Sequence, residues 1–264
     1  MKYIVDHDLH IHSNISLCAN DPEQTKENIL KCAEENGLKT ICITDHFWDE
    51  TIDGASSWYQ KQNLEHISAI KPLPQTEDVK FLFGCETDMD KFLTVGVSKE
   101  RFDLFDFIVI PTTHFHMKEF TILEEDLIDA KSRAKAWVKR FDALLNMDLP
   151  FNKVGIAHLV CSLIAPTREE LLETIEAIPE QEMVRLFNKA AELGVGIEIN
   201  SDEMTNVKEN GDILLRPYRV AKKCGCKFYC GGDAHELEKM VTAKSRLEKG
   251  IEMLGLTEND KFIL

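Results

Sequence analysis

Short runs of apolar residues alternate with amphipathic segments along the whole chain. Within each run the apolar residues occupy successive positions, which is typical of buried strands covered by helices on both faces. These runs predict strands over residues 3–9, 40–44, 79–86, 107–111, 153–157, 195–200 and 227–231. The amphipathic segments predict helices over residues 23–36, 123–146, 168–177, 180–193, 213–223 and 236–249. Because the alternation repeats about seven times, we expect a parallel α/β fold.

Residues that favour helix ends stand at several of these boundaries. Asp21 and Pro22 suit the cap and first turn of the helix predicted to start at residue 23. Glycines follow three of the predicted helices, at Gly37, Gly194 and Gly250, and glycine favours the backbone conformation that ends a helix. We therefore expect these helices to stop there.

One long connection, residues 47–62, lacks a helical or strand period and contains Trp48, Trp58 and Tyr59. Long loops in compact domains are often walls or lids of functional sites, so this loop is expected to shape substrate choice. We find no linker, low-complexity tract or internal repeat. Residues 1–264 are therefore expected to form a single domain.

Composition narrows the class of protein. Hydrophobic residues make up 44% and charged residues 29% of the chain, which argues against disorder. The net charge is −15, so non-specific binding to DNA or RNA is disfavoured unless basic groups or metals are concentrated locally. The N-terminus lacks the pattern of a signal peptide, and no apolar run approaches a membrane span. We expect a cytoplasmic protein with no membrane partner.

The eight cysteines do not indicate a disulfide framework, because a chain of this length can build a core without one. Cys42 and Cys85 lie in apolar runs, where a reduced thiol behaves as a small hydrophobe. Cys224, Cys226 and Cys230 lack the C-x₂-C spacing of common zinc modules. We therefore interpret this cluster as structural.

Histidines and carboxylates concentrate where the predicted strands end. The C-terminal ends of parallel barrel strands converge on one face, so a barrel is favoured over an open sheet. Imidazole and carboxylate are ligands of zinc, manganese and iron, and two histidines in an H-x-H pattern point to the same side of a strand. The predicted metal ligands are His10, His12, His46, Glu86, His114, His158, Asp233 and His235. His116 competes with His114 and is otherwise expected to orient substrate or to support a ligand, whereas His7 and His66 are assigned no site.

The ordered motifs resemble the PHP (polymerase and histidinol phosphatase) superfamily over nearly the whole chain. The matching stretches are DLHIHS at 8–13, ITDH at 43–46, GCE at 84–86, the strands ending at His114 and His158, and GGDAH at 231–235. The resemblance implies a distorted (β/α)₇ barrel with two or three divalent ions (Zn, Mn or Fe). It also implies three ligand sets: His10, His12, Glu86 and Asp233; Glu86, His114 and His158; and His46 with His235.

Cys18 departs from the pattern that this resemblance implies, because many trinuclear members carry a histidine at that place. Two alternatives stay open: the thiolate is a ligand of the third ion, or Cys18 is an inert loop residue. Asp8 and Asp45 are expected to fix histidine tautomers from outside the ligand set.

No Ser-His-Asp or Cys-His arrangement stands out, so the nucleophile is expected to be a metal-bound hydroxide and not a side chain. The leading hypothesis is a metal-dependent phosphoesterase that hydrolyses a small phosphomonoester, with histidinol phosphate as the first substrate to assay. Arg168 and Arg216 are candidates to bind phosphate oxygens. The alternatives are a metal-dependent amidohydrolase, although no lysine stands at a strand end, and a non-catalytic metal-binding domain.

Overall fold

The computed structural model describes residues 1–205, 207 and 210–264. Its strands are β1 His7–Ile11, β2 Thr40–Ile43, β3 Lys80–Phe83, β4 Cys85–Glu86, β5 Ile108–Pro111, β6 Val154–Ala157, β7 Gly196–Asn200 and β8 Lys227–Gly231. Its helices are α1 Lys26–Glu35, α2 Leu64–Ser68, α3 Ala130–Leu144, α4 Arg168–Ala177, α5 Glu180–Leu193, α6 Ser201–Thr205, α7 Gly211–Leu214, α8 Arg216–Lys223 and α9 Leu237–Leu254. Within the described residues, no helix combines the length and the apolar character that crossing a bilayer requires.

The strands form two parallel sheets, with the orders β1-β2-β3 and β4-β5-β6-β7-β8. The predicted parallel α/β fold is therefore confirmed. Strand pairing gives two sheets and not one continuous ring, so the barrel stays a prediction. The edge strands β1 and β8, one from each sheet, nevertheless lie side by side. Two hydrogen bonds join the segments at their ends: Asp233 N donates to His10 O at 2.7 Å, and His12 N donates to Ala234 O at 3.1 Å.

The strand predicted over 79–86 is divided at Gly84. Gly84 N donates to Ile43 O of the first sheet, and the next amide, Cys85 N, donates to Phe107 O of the second. A Cβ at Gly84 would lie 2.4 Å from Phe107 O, so a larger residue would not allow this close crossing. The chain therefore changes sheets at a glycine, and Glu86 ends the short strand that follows.

The first strand lies further along the chain than predicted, at 7–11 and not at 3–9. Its register shifts between Asp8 and Ile11, which face Ile41 and Ile43 of β2, so β1 has one extra residue. Such a bulge changes the face to which the following side chains point. Accordingly Leu9 belongs to the inner apolar cluster, whereas Ile11 belongs to the outer core between strands and helices.

The inner cluster comes from strand positions that alternate with those of the outer core. It comprises Leu9, Cys42, Leu82, Phe107, Val109, Ala157, Tyr229 and Phe262. The Phe107 ring packs edge-on against Tyr229 at a centroid distance of 5.0 Å. This packing supports the strands from inside.

Gly155→Ala is expected to lower the free energy of unfolding by about 1–3 kcal/mol, the usual cost of overpacking. A Cβ at Gly155 would lie 2.5 Å from the Tyr229 ring and 2.6 Å from the Phe107 ring. Urea denaturation measures the change. Gly211→Ala is the matched control, because its Cβ would meet neighbours only at 3.6 Å or more. Equal stability of the two variants would contradict the inferred tight inner packing.

The predicted helices form, but two of their end signals were misread. α1 is capped by Thr25, whose side chain accepts from Asn28 N, and Asp21 instead accepts from Glu23 N and Leu237 N. α9 continues through Gly250 to Gly255, which has a φ of 61°. Gly250 is required by packing, since its Cβ would lie 2.4 Å from the Met204 side chain.

Of three further helix predictions, one is confirmed and two differ in extent. The helix expected over 180–193 has those limits, with Gly194 in the left-handed conformation. The segment expected over 123–146 begins with a 3₁₀ turn and is α-helical only over α3, behind the cap Asp129. The segment expected over 213–223 is divided between α7 and α8.

Candidate metal centre

The two histidines of the H-x-H motif lie side by side at the end of β1, with their Nε2 atoms 3.2 Å apart. Glu86 Oε2 lies 3.4 Å and 3.1 Å from these nitrogens of His10 and His12. Asp233 Oδ1 lies 3.6 Å and 3.4 Å from the same two atoms. Tetrahedral ligands about 2.0–2.1 Å from a zinc ion are spaced by roughly 3.4 Å. His10, His12 and Glu86 therefore fit one divalent ion, and Asp233 lies beside the two histidines.

A second set of donors faces the other oxygen of the same carboxylate. Glu86 Oε1 is buried without a hydrogen-bond partner. His114 Nε2 lies 3.9 Å from it and His158 Nε2 lies 3.8 Å from it. Asp233 Oδ2 lies 3.6 Å from His158 Nε2. An orphaned buried oxygen surrounded by imidazole nitrogens fits a second cation, with Glu86 between the two positions.

A third group contains the sulfur predicted as a candidate ligand. Potential donor atoms of Cys18, His12, His46 and His235 all lie within 4.8 Å of one another. The His12 ring stacks against His235 at 4.3 Å and against His46 at 4.7 Å. The structure therefore brings Cys18 beside the histidines that the motifs assigned to a third ion.

Two of the histidine rings in these groups are backed by a carboxylate at the second nitrogen. Glu198 Oε1 lies 2.6 Å from His10 Nδ1, and Asp88 Oδ1 lies 3.1 Å from His114 Nδ1. Such contacts fix the tautomer and direct the other nitrogen toward a metal. Neither carboxylate was predicted to have this role, although Glu198 stands at a strand end and Asp88 lies two residues after Glu86.

Tyr59 joins the long loop to this network. Its hydroxyl donates to Asp88 Oδ2 at 2.6 Å and lies 3.1 Å from His46 Nδ1. Glu203 Oε1 lies 3.4 Å from His158 Nδ1 on the opposite side. No motif identified Tyr59 or Glu203, because Tyr59 lies in the long loop and Glu203 lies in the short helix α6 that follows β7.

Asp8 and Asp45, expected to orient histidine rings, instead accept hydrogen bonds from main-chain amides and from the Ser13 hydroxyl. Asp8 Oδ1 accepts from Gly232 N at 2.8 Å and from His10 N at 3.2 Å, and burial raises the pKa of this carboxyl to about 7. Asp45 accepts from the amide and the hydroxyl of Ser13, at 2.7 Å and 2.6 Å. Both carboxyls therefore hold the loops that carry ligands, and not the imidazoles themselves.

Two of the candidate ligands occupy a strained backbone conformation. His158 has a φ of 62° and Asp233 a φ of 50°, in the left-handed region that non-glycine residues seldom adopt. Such strain persists only where the surrounding structure enforces it, and it clusters at functional sites. This backbone conformation places His158 Nε2 3.8 Å from Glu86 Oε1 and Asp233 Oδ1 3.6 Å from His10 Nε2.

The electrostatics of the cluster suit a cation. Burial favours the neutral acid of Glu86, but His46 and His10 hold the pKa of this carboxyl well below its usual range. Burial likewise opposes the thiolate of Cys18, yet His12 and His235 lower the pKa of this thiol to about 3. For His10 the carboxylates outweigh burial and raise the pKa well above its usual range. A divalent ion would displace these imidazole protons.

A cavity of about 480 Å³ opens over the cluster. Its described lining includes neither lysine nor arginine and comprises Cys18, His46, Ser56, Trp58, Glu86, His114, His116, Met117, Phe120, His158, Leu163, Asp233 and His235. His116 lies beside His114 at a ring distance of 5.4 Å. Burial and the neighbouring His114 lower the pKa of His116 to about 4, so its ring is neutral at pH 7.

The two arginines predicted to bind phosphate lie elsewhere. Arg216 Nη1 donates to the carbonyls of Ile175, Glu176 and Ile178 at the end of α4. Arg168 is the first residue of α4. Neither is among the described residues that line the cavity. Both arginines were predicted from their positions after strand ends. That signal does not distinguish a phosphate ligand from an arginine such as Arg216, which caps the C-terminal end of α4.

The sequence matches the family model described as PHP domain over residues 8–202. This segment contains the candidate ligands from His10 to His158, whereas Asp233 and His235 follow it and join the cluster through the geometry given above. No curated protein sequence matches the chain.

Among solved structures, histidinol phosphate phosphatase from Lactococcus lactis subsp. lactis Il1403, complexed with zinc, L-histidinol and phosphate, is similar to this chain. The TM-score is 0.57 at 15% identity, and the alignment covers 94% of each chain. At this identity the similarity shows a shared fold.

Two further matches are weaker. The metal-dependent tyrosine phosphatases YwqE from Bacillus subtilis and CpsB from Streptococcus pneumoniae give a TM-score of 0.41 at 14% identity, over 97% of this chain and 96% of theirs. A chain of archaeal ribonuclease P with mature tRNA gives 0.38 at 15% identity, over 94% and 90%. Scores below 0.5 support no conclusion about fold or function.

Proposed function

The chain belongs to the PHP domain family, as its motifs predicted, and on that premise we propose that it is a metal-dependent phosphoesterase acting on small phosphomonoesters. One observation carries the proposal. The carboxylate of Glu86 is buried between two sets of nitrogen and oxygen donors whose spacing matches that of ligands sharing an ion. Paired divalent ions of this kind are a recurring device for phosphoryl transfer.

The proposed ligands divide into two sets that share Glu86. His10, His12 and Asp233 complete the first, and His114 and His158 complete the second. When bound, the ions would supply positive charge for the phosphoryl oxygens and lower the pKa of water to near neutrality. No side chain is proposed to form a covalent intermediate.

The chain's own contribution is to hold the ligand atoms and to shield them from solvent. Glu198 and Asp88 keep the second nitrogens of His10 and His114 occupied, so that each Nε2 presents a lone pair. Trp58 and Phe120 contribute apolar side chains to the lining of the cavity above. Apolar walls lower the local polarity and so strengthen the charge interactions made beside them.

The lining of the cavity restricts the substrate that we propose. Trp58, Met117, Phe120 and Leu163 give it an apolar wall, and its described lining offers no lysine or arginine to a second phosphate. The net charge of −15 also opposes polyanions. A single phosphate on a compact organic group fits best. Histidinol phosphate is the first ester to assay, and the similar Lactococcus lactis enzyme was solved with L-histidinol and phosphate.

We also propose that residues 1–264 form one domain and that its two sheets are the halves of a distorted (β/α)₇ barrel. The hydrogen bonds at Gly84 and between β1 and β8 support this arrangement. Together they connect the two sheets at both edges.

Removal of divalent ions is expected to lower phosphomonoester hydrolysis by roughly 10²-fold or more, because the charge stabilisation at the site is lost. The measurement uses p-nitrophenyl phosphate and histidinol phosphate before and after dialysis against a chelator. Zn²⁺, Mn²⁺ or Fe²⁺ added back should restore the rate. A sample dialysed without chelator is the control. Hydrolysis that survives complete loss of metal would overturn the proposal.

A further inference from the structure

The third donor group differs from the other two because it contains sulfur. We propose that Cys18 binds an ion as a thiolate together with His46 and His235, and that this position selects zinc over magnesium and manganese. The inference rests on the proposed function, since it requires a cluster that holds divalent ions. It adds to the proposed function a sulfur ligand, Cys18, and the metal preference that this ligand gives.

Geometry supports the thiol as a ligand. The donor atoms of Cys18, His46 and His235 lie within 4.8 Å of one another, with His12 beside them. Ser16 Oγ lies 3.1 Å from Cys18 Sγ, a hydrogen-bond distance at which the hydroxyl can donate to a thiolate. Cys18 also lines the cavity, so an ion can reach the sulfur.

Three side-chain contacts hold the loop that carries Cys18 in place. Leu17 N donates to Gln62 Oε1 at 3.1 Å, and His66 Nε2 lies 2.7 Å from Ile15 O. Gln24 Nε2 donates to His12 O at 3.0 Å. These contacts fix the main chain immediately before Cys18, which is the preorganisation that a ligand position requires.

Ligand chemistry sets the expected selectivity. Thiolate is a soft ligand that favours zinc, whereas magnesium and manganese favour oxygen donors. The first and second donor groups offer only imidazole nitrogen and carboxylate oxygen. The third donor group would therefore prefer a different metal from the first and second groups.

The first test replaces zinc with cobalt(II), because cobalt bound to thiolate has an intense near-ultraviolet charge-transfer absorption. Metal-free protein is titrated with Co²⁺, and bound cobalt is counted by elemental analysis. Wild type should show the band, and Cys18→Ser and Cys18→His should lose it. Cys18→His should keep the wild-type metal count, because it restores an imidazole donor. Cys161→Ala and Cys224→Ala are the controls and should keep the band.

The second test measures access to the sulfur. Iodoacetamide labelling of Cys18, followed by mass spectrometry, should be slowed about tenfold or more by Zn²⁺ and little changed by Mg²⁺. Cys224 is half-buried and outside the donor groups of the described residues, so its labelling should not respond to zinc.

The outcomes separate the two proposals. Three results would overturn the thiolate assignment alone. They are wild-type protein that binds ions but lacks the band, a Cys18→Ser variant that keeps the band, and Cys18 labelling that is equally fast with and without zinc. A band that disappears in Cys161→Ala assigns the sulfur ligand to Cys161 and also overturns it. Protein that binds no divalent ion defeats the proposed function as well.

Discussion

Glu86→Gln is expected to lower kcat/KM for phosphomonoester hydrolysis by roughly 10³-fold, at the upper end of the range for losing a preorganised electrostatic contact. The reason is the position of this carboxylate between two donor sets. Its Oε2 lies 3.1 Å from His12 Nε2, and its Oε1 lies 3.8 Å from His158 Nε2. Glutamine has nearly the same shape, so the substitution removes charge and one oxygen without opening a cavity.

The variant should also lose bound metal from both sets, and not from one alone. Elemental analysis of purified protein and steady-state kinetics measure the two effects. Glu100→Gln is the matched control, because Glu100 is exposed on a 3₁₀ turn away from the cavity. A Glu86→Gln protein that keeps its metal content and its kcat/KM would remove Glu86 from the proposed ligands.

Arg140→Met is expected to lower the free energy of unfolding by about 3–5 kcal/mol, because it leaves several buried carbonyls without a donor. Arg140 lies on α3 and is 2% exposed. Its guanidinium donates to the carbonyl oxygens of Thr112, Asp90 and Met89 at 2.8, 3.1 and 2.7 Å, and also to that of Thr121. Burial lowers the pKa of Arg140 to about 10, which still leaves it charged at pH 7.

These four carbonyls belong to the loops that follow β4 and β5, and the same loops carry Asp88 and His114. Urea denaturation of metal-free protein isolates the effect on folding from any effect on metal binding. Lys139→Met, one residue earlier on α3 and exposed, is the control and should change stability by less than about 0.5 kcal/mol. A loss below about 1 kcal/mol for Arg140→Met would mean that water or rearrangement satisfies these carbonyls.

The placement of the candidate ligands was largely predictable from sequence, because parallel strands bring their C-terminal ends together. His10, His12 and His158 each stand at or directly after such an end, and their neighbours in the chain were sufficient to identify them. The apolar runs likewise predicted most strands, since a strand covered on both faces must be apolar throughout.

Contacts between distant segments were not predictable in this way. Glu198 backs His10 across 188 residues of sequence, and this pairing depends on which strands are neighbours. The extra residue in β1 and the crossing at Gly84 depend on register, which a single sequence does not specify. Arg140 lies in an amphipathic helix, where an arginine is ordinarily expected to face solvent.

The packed aromatic side chains inside the sheets affect how ligands enter and leave the candidate metal centre. Phe107, Tyr229 and Phe262 fill the interior on the side away from the cavity, at 0%, 0% and 6% exposure. In the part of the chain that the structure describes, they close the floor beneath the histidines. Under the proposed function, the ester and both products would therefore all pass through the cavity above the histidines. Phosphate bound in this cavity would block the dissociation of the metal ions as well as the binding of the next substrate. Protein saturated with phosphate should therefore lose its metal to a chelator more slowly than protein without phosphate.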